Sequence, residues 1–151
     1  MVILLVDPAA APAEPDWGWL RWLPHVAPYD GQDCTGLIGD GTESLSARVL
    51  ELTALVTTRT RAAFDVRAQL EARRLRDVLV VLDGARGLRD LTGMAQVLRD
   101  GPGVGVHALC LDQQERSLPE ECSAVVTCDG DALLTVRRAR APRCTRCGPT
   151  W

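Results

Sequence analysis

Three apolar runs in this chain end in aspartate: VILLV before Asp7, VLVVL before Asp83, and VGVHALCL before Asp112. A continuous apolar run leaves no face for water, which is how a strand reads when both sides of its sheet are covered. Parallel sheets meet that condition because crossover segments lie on their faces, so the runs confine the chain to α/β architecture. Three buried strands separated by helices predict an open, mostly parallel sheet with flanking helices. Right-handed crossovers then bring every strand's carboxyl end, and its aspartate, to one rim.

The intervening segments supply those crossovers. A helix is expected from Thr42 or Ser44, either able to cap it, with Leu45, Val49, Leu52 and Val56 at helical spacing and Leu55 beside them. Arg59, Arg61, Arg67, Arg73, Arg74 and Arg76 crowd the stretch that follows and read as a solvated face. A short helix carries Met94, Val97 and Leu98, with Thr92 as its cap and Asp100-Gly101-Pro102 as its stop. One short strand is placed near Gly36–Ile38 in an otherwise Gly-, Asp- and Pro-rich loop. Near the far end, Ser123–Cys128 and Ala132–Arg137 flank Asp129-Gly130, predicting an antiparallel hairpin at the sheet edge.

At 151 residues and 46% hydrophobic content, one domain with a real core is expected. The formal charge of −3 excludes a global basic field that would draw in phosphate backbones. Residues 1–8, MVILLVDP, lack a basic n-region, and the apolar run is too short for a signal peptide core or a membrane span. A strand that starts with the chain implies further structure upstream. Without an export signal, the six cysteines are expected as reduced thiols and the chain as cytoplasmic. All 17 basic residues are Arg, Lys and Asn are absent, and Ile occurs only at Ile3 and Ile38, a codon bias that points to a GC-rich genome.

The stretch DVLVVLDGARGL has the form of a Walker B strand, whose carboxylate holds the hydration shell of Mg²⁺ opposite a nucleotide's phosphates. Hydrolysis also needs a carboxylate just after that aspartate, and Gly84 stands there. The phosphate loop GxxxxGK[ST] requires a Lys that the chain lacks. GPGVG, residues 101–105, precedes a strand and reads as a turn. Cys144 and Cys147 have half the spacing of a zinc knuckle, but His25 and His107 do not complete it, so no metal site is assigned. Cys110 and Cys128 fall in strand patterns as small core residues, and no Ser or Cys has a recognisable base partner. No catalytic residue is expected, and autonomous ATP hydrolysis is not.

DWGWLRWLPH, residues 16–25, gathers Trp17, Trp19 and Trp22 in a chain with only four Trp, one Phe and one Tyr. Read as a helix, it places Trp19, Trp22 and Leu23 on one face, with Trp17 and Leu20 flanking and Pro24 ending the turn. A net-acidic chain disfavours base stacking. The segment is therefore expected to anchor against the sheet or an adjacent module.

Taken in order, DWGWLRWLPH, LTALVTTRTRAAF, DVLVVLDGARGL and GVGVHALCLDQQERSLPEECSAVV resemble the EccC-type proteins, the FtsK/SpoIIIE-like motor ATPases of type VII secretion and their actinobacterial relatives. The resemblance implies the later part of a RecA-like P-loop fold over residues 1–138, followed by an irregular tail over 139–151. It implies Asp83 as the Walker B-like carboxylate and Asp112 and Gln113 as the sensor-like pair on the next strand. It also implies neighbouring ATPase modules or a homo-oligomer as partners, a parent protein able to bind Mg-ATP and to be membrane-anchored, and DNA as a partner only by analogy. The tail RCTRCGPTW departs from the family pattern. Read in a shifted frame with GC-rich codons it gives VHEVRPDL, so residues from about 143 are expected to be out of frame, with Cys144 and Cys147 accidental.

A degenerate, non-catalytic module fits these features, since Gly84 replaces the catalytic carboxylate and the phosphate loop is missing. It would bind no cofactor by itself and would serve packing and coupling between modules. Two alternatives remain. One is a nucleotide-binding half-site of an active DNA or protein translocase, completed by upstream sequence. The other is a small α/β regulatory or interaction domain, weakened by the lack of the Lys that phosphoryl signalling uses.

Overall fold

The structure, a computed structural model, describes residues 1–9, 17–28, 36–63, 77–128 and 134–138. The expected shifted frame from about residue 143, the tail 139–151, the hairpin turn at Asp129-Gly130 and most of the arginine-rich stretch lie outside them. The chain forms two units, Met1–Pro119 and Glu120–Trp151.

The first unit is an open α/β sheet. Strands β1 (Val2–Val6), β2 (Ile38–Gly39), β3 (Val78–Asp83) and β4 (Val106–Leu111) are all parallel and lie in the order β2-β1-β3-β4. Asp83 pairs in register with Val6 on one side and Leu111 on the other. β1 is central and buried on both faces. Ile3 and Leu5 point into one apolar cluster, Leu4 and Val6 into the other.

The larger cluster lies beneath α1 (Thr42–Ala63), α2 (Ala85–Arg89) and α3 (Met94–Asp100). Leu45, Val49, Leu52 and Val56 line the buried stripe of α1, as their spacing predicts. Ser44 sits inside the first turn of α1, where its Oγ accepts the Gly41 N–H at 3.0 Å and satisfies a donor ahead of the helix. Gly93, in a left-handed conformation at φ 95, takes the N-cap position of α3 that Thr92 was expected to fill. Arg59 departs from the solvated-face expectation. It is buried on α1, and its Nη1 donates to Val104 O at 3.0 Å, closing the amino end of β4.

A strap formed by residues 17–28 covers part of the opposite face. Its two short 3₁₀ turns, Gly18–Trp22 and Pro24–Val26, bury Leu20 and Val26 against Leu4, Val6 and Val81. β4 is less covered than its apolar composition predicts: His107, Ala108 and Leu109 are exposed. It is an edge strand, and strand order, which apolar content does not encode, leaves its outer side without a partner strand among the described residues.

In the second unit, β5 (Ala124–Cys128) and β6 (Leu134–Arg138) pair antiparallel and form a two-stranded sheet of their own, separate from the parallel sheet whose edge they were expected to join. Val126, Val136 and Leu134 are exposed on it. Among the described residues, no helix is long and apolar enough to cross a membrane.

Candidate functional site

The chain winds in two directions from β1. The connection to β2 runs over one face as the strap, whereas the connections to β3 and β4 use α1, α2 and α3 on the other. The reversal falls between the carboxyl ends of β1 and β3, where the loops part and leave a crevice. An open cleft of about 810 Å³ lies at that rim, lined among others by Asp7, Asp83, Arg86, Asp112, Gln113 and Ser117. The three residues expected at a site, Asp83, Asp112 and Gln113, thus meet in one cleft.

Each rim aspartate commits a carboxylate oxygen to the chain itself. Asp7 Oδ1 accepts the Ala9 N–H at 2.9 Å, turning the chain at the end of β1. Asp112 Oδ2 accepts the Arg86 N–H at 3.4 Å, a long contact in the first turn of α2. Asp83 Oδ2 accepts the Trp17 Nε1–H at 2.6 Å, across 66 positions of sequence. It is the shortest of the three, and it is part-buried where the other two are exposed.

Beyond Asp83 the backbone turns left-handed. Gly84 has φ 79 and caps α2, and its N–H donates to Leu111 O at 3.2 Å. α2 then passes so close to β1 that a Cβ at Gly87 would overlap the Asp7 carboxylate. A five-residue helix with no side-chain cap holds the position that follows Asp83. GPGVG lies at the amino end of β4, away from the rim, as a 3₁₀ turn over Gly101–Val104 followed by left-handed Gly105. Among the described residues, no three His, Cys, Asp or Glu side chains group to hold a metal ion.

The tryptophan segment faces differently from its α-helical reading. A 3₁₀ turn repeats every three residues, so positions 17, 20 and 23 share one row and positions 19 and 22 another. The first row faces the sheet: Leu20 is buried, and Trp17 and Leu23 lie partly buried against the smaller cluster. Trp19 and Trp22 point outward at 55% and 82% exposure. The Trp17 and Trp19 rings remain neighbours, with centroids 6.2 Å apart. Of the expected packing set, Trp17 and Leu23 lie against the smaller cluster, whereas Trp19, beside the Trp17 ring, and Trp22 are exposed.

The Trp17–Asp83 contact was not legible in sequence, although both residues stood out separately. Asp7, Arg86 and Ser117 also join the cleft. Of these, only Asp7 carried a signal, as a strand-ending aspartate. No protein-family model, curated protein or solved structure matches the chain.

Proposed function

We propose that this chain is a non-catalytic module of an FtsK/SpoIIIE-like, EccC-type motor, which packs against neighbouring modules and couples their states. The observation that carries the reading is the state of Asp83. The carboxylate that a Walker B strand would offer to hydrated Mg²⁺ instead accepts the Trp17 indole, and left-handed Gly84 occupies the place of the catalytic carboxylate. The Asp7 and Asp112 contacts support the same view, since both tie down backbone around the rim. Mg-ATP would belong to the other modules of the parent protein. A phosphate-release assay tests this: the chain with Mg-ATP stays at the buffer rate, and turnover that Asp83→Asn abolishes would contradict the reading.

A half-site completed by other sequence has one observation in its favour, the open edge of β4. His107, Ala108 and Leu109 are exposed there, and a further parallel strand could extend the sheet. In the parent polypeptide this alternative expects Asp83→Asn to lower Mg-ATP turnover roughly a hundredfold. The non-catalytic reading expects a change of no more than about twofold.

A further inference from the structure

The strap is tied to the sheet in two different ways. Its middle is held by burial, with Leu20 at 5% and Val26 at 1% exposure, and Val26 O accepts the Leu37 N–H at 2.9 Å beside β2. Its leading end is held by the Trp17 indole on Asp83. Among the described residues that indole is the side-chain partner of Asp83, and Asp83 also lines the cleft. One carboxylate therefore serves two masters, the strap on one sheet face and the cleft over the strand ends. We propose that the Trp17–Asp83 bond is a latch. A group in the cleft that engages Asp83 Oδ2, the oxygen that holds Trp17, weakens the hold on residues 17–28, and exposed Trp19 and Trp22 shift with the strap.

The latch rests on the coupling role proposed above, for which it supplies the physical link. A carboxylate holds an indole N–H more firmly than a neutral acceptor does, so its removal should register in the strap before the sheet. Hydrogen exchange on the full chain reads this directly. Asp83→Ala and Trp17→Phe should each speed exchange of the Leu20, Leu23 and Val26 amides about tenfold, with β1 and β3 amides within about twofold of the native chain. The double variant should add nothing further, because both changes remove one bond. If Asp83→Ala does not fold, Asp83→Asn, which keeps an acceptor oxygen, serves as the background, and adding Trp17→Phe should again deprotect the strap.

Unchanged strap exchange in Asp83→Ala overturns the latch. So does a response to Trp17→Phe alone, which would mark simple loss of ring packing, or an equal rise in strap and sheet. Micromolar binding of Mg-ATP would instead overturn the non-catalytic reading and leave the exchange result standing.

Discussion

A side chain at position 84 would have to adopt the left-handed conformation that Gly84 holds at φ 79, at a cost of about 1–2 kcal/mol for an L-residue. Gly84→Glu introduces the carboxylate that the proposed kinship with hydrolytic motors would place there. It is expected to lower stability by about that amount in urea unfolding, without any gain in phosphate release. A comparable contrast separates the two rows of the strap. Leu20→Ala should cost about 2–5 kcal/mol, and Trp22→Ser should stay within about 0.5 kcal/mol, both read from denaturant midpoints. The aromatic cluster stood out in the sequence, but its orientation did not. Over six residues a period of 3.0 and a period of 3.6 choose different neighbours, and only contact with Leu4, Val6 and Val81 selects between them. The bond from Trp17 to Asp83 is harder still to read, because it depends on the strap crossing the sheet end 66 positions away.

Elements with a long apolar period were legible, and those defined by their neighbours were not. α1 follows from Leu45, Val49, Leu52 and Val56, all buried. Leu52→Ala should therefore cost about 2–5 kcal/mol, against a small effect for Leu50→Ala, since Leu50 is 71% exposed. α2, with the sequence ARGLR, is too short to show a period; the left-handed cap at Gly84 and the turn onto Asp90 create it. β1, β3 and β4 announce themselves equally as apolar runs, yet their burial patterns diverge because strand order sends β4 to the edge. The antiparallel pairing of β5 with β6 was also legible, from two strand patterns flanking Asp129-Gly130. A two-stranded sheet is marginal by itself, so its amides should exchange at least about tenfold faster than those of β1 and β3.

For the molecule as a whole, the winding of the sheet connects the parts. A strap on one face and helices on the other reverse direction between β1 and β3, and the cleft opens where Asp7 and Asp83 end those strands. The fold class and the rim were foreshadowed by three apolar runs ending in aspartate. What occupies the rim carboxylates was not, because backbone turns and a distant indole decide it. The proposal that the chain couples modules without handling nucleotide turns on that occupancy. Isothermal titration of the chain with Mg-ATP tests it most directly. The expected result is no binding heat at micromolar concentrations, with Asp83→Ala indistinguishable from the native chain; micromolar binding that Asp83→Ala abolishes would contradict it.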